Sequence, residues 1–221
     1  MNSAPRHSFI TRATHWITTL CFLALLLSGI EILISHPRFY WGEAGNILTP
    51  PLFTIPIPAS RGIVKTGYNF VLPDQNGWSR ALHFQAAWFV VLAGAVYFLA
   101  SLVNGHFRRN LIPGTSELAW RDLRPHRPDP AGTSYNPLQK LTYAVVIFVL
   151  FPLVIWTGLA MSPGFVSAFP ATVTTLGGQQ SARTIHFFVT IALSAFFIVH
   201  LIMVWLAGFR TRVREMIWGR R

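Results

Sequence analysis

The sequence predicts an all-α membrane protein, a four-transmembrane-helix bundle with both termini in the cytoplasm. Three observations carry that expectation. Hydrophobic residues make up 52% of the 221 positions and charged residues only 11%, about half the charged share of soluble domains. Four segments, roughly 14–35, 81–104, 138–162 and 184–208, are apolar and long enough to cross a bilayer at about 20 residues per crossing. The basic residues gather on one side of them.

Four crossings return the chain to the side on which it began. Arg6 and Arg12 precede the first span. Arg108, Arg109, Arg121, Arg124, Arg127 and Lys140 lie between the second and third. Arg210, Arg212, Arg214, Arg220 and Arg221 follow the fourth. These are thirteen of the eighteen Lys and Arg residues; Arg38, Arg61, Lys65, Arg80 and Arg183 fall on the other side. Cytoplasmic loops carry the basic excess, so both termini are expected inside. The net charge of +11 then reads as a topology signal and not as nucleic-acid binding.

The first span is expected to be retained. No small-residue cleavage site follows it, because the chain continues Ile34-Ser35-His36-Pro37. The first outer connection, about 36–80, contains Pro37, Pro50, Pro51, Pro56, Pro58 and Pro73 and cannot be one helix. Its basic, aromatic stretch from Arg61 to Phe70 is expected to lie on the membrane or meet a partner. Pro152 should kink the third span. The single Cys21 excludes an internal disulfide, a cysteine-ligated iron–sulfur cluster and covalent C-x-x-C-H haem attachment.

Ionisable groups inside a span are costly and are functional candidates by default. Of the eight histidines, His36 and His126 fall in loops, and His7 and His106 near the cytoplasmic interface. His15, His83, His186 and His200 fall within or at the ends of spans. His186 and His200 are fourteen residues apart on the fourth span. That is roughly 21 Å along a helix, about 40° short of four full turns, so both rings leave one face at opposite leaflets. Chain direction places His15 with His200 on the inner side and His83 with His186 on the outer. Two neutral imidazoles fill both axial positions of a haem iron, which suits electron transfer. The expectation is two non-covalent b haems. A histidine proton relay, as in a transporter, is the competing use. It requires a polar path, and Glu31, near an outer end, is the main other ionisable group in the spans.

Arg12, Arg80 and Arg183 each precede one of these histidines by three residues. Positions i and i+3 share a helix face, and arginine pairs well with carboxylates. These three are therefore candidates to hold haem propionates. Gly29 and Gly94 lie where a haem edge could approach a backbone.

The ordered set Arg12-x-x-His15-Trp16, Ser28-Gly29, Tyr135-Asn136-Pro137-Leu138-Gln139-Lys140 and Ala182-Arg183-Thr184-Ile185-His186 with His200 resembles the bacterial di-haem cytochrome b family. That family includes the membrane subunits of formate dehydrogenase and nickel–iron hydrogenase. The resemblance implies one haem ligand each from spans one and two and two from span four. It also implies a quinone site near the cytoplasmic haem, lined by Asn136 and Gln139. The chain lacks the fifth span of the hydrogenase branch and looks closest to the branch accompanying periplasmic molybdopterin oxidoreductases. The implied role is a quinone-linked electron-transfer subunit in the bacterial inner membrane, serving a periplasmic oxidoreductase or cytochrome. A transmembrane reductase acting on a small extracytoplasmic acceptor would share the haems and differ only at the outer surface.

Overall fold

The computed structural model describes residues 8–46, 48–57, 76–107 and 137–219. Four long helical stretches carry the expected spans. The first is α1, Phe9–Ser35. The Ser8 hydroxyl accepts the Thr11 N–H at 3.2 Å, satisfying one of the amides a helix start leaves without a partner. At 1.5 Å per residue its 27 residues reach about 40 Å, beyond the roughly 30 Å hydrocarbon core. The second is α2, Asn76–Val103.

The third crossing is composite. It opens as α3, Pro137–Val145, with proline at the position where a missing N–H costs least. It widens into a π turn over Val146–Leu150 and resumes as α4, Phe151–Ala160. The Phe151 N–H reaches back to the Val146 carbonyl. The next residue, Pro152, has no N–H to donate, so the regular ladder is interrupted there and the extra residue of the π turn is accommodated beside it. Two short helices follow, α5 (Pro163–Ala168) and α6 (Ala171–Thr174). The fourth crossing is α7, Gln179–Leu206. Gly208, at φ +94°, turns the chain into α8, Phe209–Trp218. Gly219, at φ +70°, ends α8 and donates its N–H to the Glu215 carbonyl at 2.9 Å, a left-handed stop that glycine makes without strain.

The segment between α1 and α2 also holds two short antiparallel strands, β1 (Arg38–Phe39) and β2 (Phe53–Thr54), pairing Arg38 with Thr54 and Phe39 with Phe53. The Asn136 position, the Arg61 to Phe70 stretch, His7, His126 and most of the basic connection between spans two and three lie outside the described residues.

The distribution of side chains is that of a protein dissolved in lipid. Leu20, Leu92, Leu99 and Trp205 on the long helices are exposed, while Ser28, Ser79, Thr157, Ser181 and Thr184 are buried. Small hydroxyl residues between helices permit close approach and supply hydrogen bonds where lipid supplies none. The protein is a multi-pass integral membrane protein.

The chain packs as two compact units. The first comprises Met1–Trp16, Ala93–Pro152 and Ile191–Arg221. Here Arg12 donates from Nη1 to the Ile217 carbonyl at 2.9 Å, and Trp16 from Nε1 to the Met216 carbonyl at 3.2 Å. Both fasten the end of α8 to the start of α1. The second comprises Ile17–Leu92 and Leu153–Thr190. Within it the segment after α1 is stapled to the first turn of α7. The Gly42 carbonyl accepts the N–H groups of Gln180 (2.9 Å) and Ser181 (3.2 Å). The Gly42 N–H donates to the Ser181 hydroxyl at 2.7 Å, and the Thr184 hydroxyl to the Tyr40 carbonyl at 2.7 Å. Gly178 packs so closely on Gly42 that an added Cβ would sit 2.4 Å from the Gly42 carbonyl carbon.

Candidate haem-binding sites

Each unit brings together one pair of the histidines singled out from the sequence. In the first, His15 on α1 and His200 on α7 have ring centres 6.4 Å apart and planes at 54°. In the second, His83 on α2 and His186 on α7 have ring centres 6.3 Å apart and planes at 59°. The spacing that two imidazoles would need to share one iron can be set against these values. With metal–nitrogen bonds of about 2 Å and ring centres about 1.1 Å beyond each nitrogen, such ring centres would stand about 6.2 Å apart. Both pairs meet that separation, so the residues fit a bis-imidazole haem.

The surroundings of the pairs differ. His200 stacks on Phe196 at 5.8 Å and meets Tyr143 edge-on at 6.5 Å; His15 meets Trp16 edge-on at 5.4 Å. His83 and His186 instead meet hydroxyls. His83 Nδ1 lies 3.0 Å from the Ser28 Oγ, and His186 Nδ1 lies 2.9 Å from the Thr157 Oγ1. A glycine follows each hydroxyl residue. A Cβ on Gly29 would lie 3.6 Å from the His83 Cε1, and one on Gly158 would lie 3.6 Å from the His186 Cε1. Gly29 thus faces the His83 ring, whereas a Cβ on Gly94 would meet nothing within 4 Å.

The three arginines occupy unlike settings. Arg183 donates from Nη1 to the Arg38 carbonyl at 3.0 Å and from Nη2 to the His36 carbonyl, with its guanidinium 4.7 Å over the Phe39 ring. It clasps the segment after α1. Arg80 is exposed. Arg12, besides its bond to α8, keeps its Nε buried with no hydrogen-bond partner among the described residues. It lines a cavity of about 350 Å³ with Phe9, Ala13, Trp16, Met216, Ile217 and Trp218. Gln139 is half-buried in the first turn of α3, four residues before Tyr143, and so on the same helix face.

Sequence reading singled out the four histidines but assigned no role to Thr157, Gly158 or Tyr143, and took Ser28 only as part of a motif. A signal was present. Ser28-Gly29 and Thr157-Gly158 are the same hydroxyl–glycine pair on two different spans.

Comparison with known proteins supplies a family. The family model described as prokaryotic cytochrome b561 matches residues 6–219. A protein of Azospira oryzae (strain ATCC BAA-33 / DSM 13638 / PS) is 27% identical over 202 residues, covering 87% of this chain and 86% of its own length. It carries the provisional name of a protein-methionine-sulfoxide reductase subunit, YedZ1. No solved structure matches the chain.

Proposed function

The chain belongs to the prokaryotic cytochrome b561 family, and from that premise we propose a membrane electron-transfer subunit that carries two bis-histidine b haems and moves electrons between a quinone pool and a periplasmic redox partner. That it is a b-type cytochrome of the membrane follows from the family. The number of haems, the quinone and the partner are the proposal. The single observation behind it is the recurrence of one imidazole pair in each unit, at 6.4 Å and 6.3 Å.

Haem, when bound, would supply a one-electron iron couple. The chain does the rest. His15 and His200 hold one haem, and His83 and His186 the other. The buried Nε of Arg12 supports a propionate or other acceptor oxygen beside the first pair. Arg80 and Arg183 are proposed for the second haem, with Arg183 already sharing its donors with two carbonyls. A quinone head group is proposed beside His15 and His200, at Gln139 and Asn136. The place of Gln139 one turn from Tyr143, whose ring meets His200, supports this. The relative's name supports a methionine-sulfoxide-reducing catalytic subunit as the class of periplasmic partner. Exposed Trp41, Leu48 and Leu52 between α1 and α2 are a suitable apolar rim for docking it.

The reading is tested on the purified protein. Pyridine haemochrome analysis should count two b haems per chain, and a quinol analogue should reduce them. Replacing Gln139 by Leu should slow that reduction about tenfold or more while leaving the spectrum unchanged. A chain with one haem refutes the proposal, and normal quinol turnover in Gln139→Leu moves the quinone elsewhere.

The proposed direction, with His15 and His200 toward the cytoplasm, follows from the thirteen-to-five distribution of basic residues. A reporter active only in the cytoplasm should work when fused after Arg221, and one active only in the periplasm should be silent there. The opposite result would reverse the assignment of the two haems to leaflets.

A further inference from the structure

The two hydroxyls that meet His83 and His186 have one proton each, and both are already committed. Ser28 Oγ donates into its own helix, to the Ala24 carbonyl at 2.7 Å with the Leu25 carbonyl at 3.2 Å. Thr157 Oγ1 does the same toward the Leu153 carbonyl at 2.8 Å and the Val154 carbonyl at 3.1 Å. Neither oxygen has a proton left to give. With each hydroxyl proton on its own helix carbonyl, the contacts at 3.0 and 2.9 Å are donations from the imidazoles, which puts the hydrogen on Nδ1 in both rings. A neutral imidazole protonated at Nδ1 has its lone pair on Nε2. Both hydroxyl residues are fully buried, so water does not compete for the contact.

We propose that Ser28 and Thr157 are positioning residues for the haem ligands His83 and His186. They fix the tautomer whose Nε2 binds iron, and they lower the reduction potential of that haem. This rests on the bis-imidazole reading above. A ligand imidazole that donates its second N–H gains electron density and favours the oxidised metal. The device is built twice, by Ser28-Gly29 on α1 and by Thr157-Gly158 on α4. In each, the hydroxyl takes the Nδ1 hydrogen and the following glycine leaves room for the Cε1 edge at 3.6 Å.

The test uses Thr157→Val, which keeps the shape and loses the acceptor, Thr157→Ser, which keeps the hydroxyl, and Ser28→Ala. Each variant is assayed by haem count, potentiometric titration and ferric low-spin electron paramagnetic resonance. Two haems should persist. In Thr157→Val and in Ser28→Ala one of the two potentials should rise. The reduced-to-oxidised ratio of that haem at fixed potential should increase about three- to tenfold, as expected for loss of a hydrogen bond worth about 1 kcal/mol. Thr157→Ser should match the wild type. The proposal is overturned if both haems remain and neither potential moves, or if Thr157→Ser shifts as far as Thr157→Val, since packing alone would then explain the change. Should Thr157→Val lose a haem, retention in Thr157→Ser supports the hydroxyl role and loss in both defeats it. A wild-type chain with fewer than two haems would be evident before any variant is compared, and would refute the underlying reading and this proposal together.

Discussion

Replacing His15 or His200 by alanine should remove one haem and spare the other, and replacing His83 or His186 should do the converse. The expectation rests on distance. The members of each pair stand 6.4 Å and 6.3 Å apart, and each pair lies within one compact unit, so the loss of one ring is expected to disable its own pair and not the other. Haem content should fall by about half in every single variant. The surviving haem should keep the low-spin spectrum of bis-imidazole iron. Redox titration identifies which haem was lost: the His15 and His200 variants must lose the same one. If they affect different haems, the pairing is wrong. If all four variants lose both haems, the two sites are not separable.

A second large effect is expected from the glycines that face His83 and His186. At Gly29 and Gly158 a Cβ would stand 3.6 Å from an imidazole carbon, an ordinary contact, so alanine should be accommodated. Leucine should not, because its further carbons must enter the space of the ring. Overpacking of this kind costs about 1–3 kcal/mol. Taken from the proposed haem site at His83 and His186, that cost would weaken binding by about fivefold to 150-fold. Gly94→Leu is the control, since nothing lies within 4 Å of a Cβ there. Haem titration of the apoprotein reads the difference. Equal behaviour of Gly94→Leu and Gly158→Leu would mean that the ring contact does not matter.

What the sequence made legible was set by periodicity and composition. The four crossings could be read because twenty or so apolar residues in succession have few other uses. The pairing of His15 with His200 and His83 with His186 could be read because chain direction fixes depth, and the structure brings those same rings together. Other features depend on contacts between segments far apart in the chain and carry no local signal. Ser28 looks like any small residue at a helix interface until His83 stands 3.0 Å away. Thr157 has the same problem with His186. Arg183 fitted an i, i+3 pattern with His186, yet its donors go to carbonyls of residues 36 and 38, because the segment after α1 folds over the start of α7. The π turn at Val146–Leu150 is a partial exception. Pro152 announced an irregularity, and only its form had to be observed.

The staple between Gly42 and the first turn of α7 has a consequence for the order of events in a growing chain. The amides of Gln180 and Ser181, which a helix start cannot satisfy internally, are satisfied by a carbonyl translated about 140 residues earlier. The cap is therefore made first and must wait, outside the bilayer, for the helix it caps. His186 arrives only with that same last crossing, by which time α4 has already been threaded and the Thr157 hydroxyl stands ready for it. This end can close only after the last crossing is in place, and the proposed His83–His186 site is complete only then.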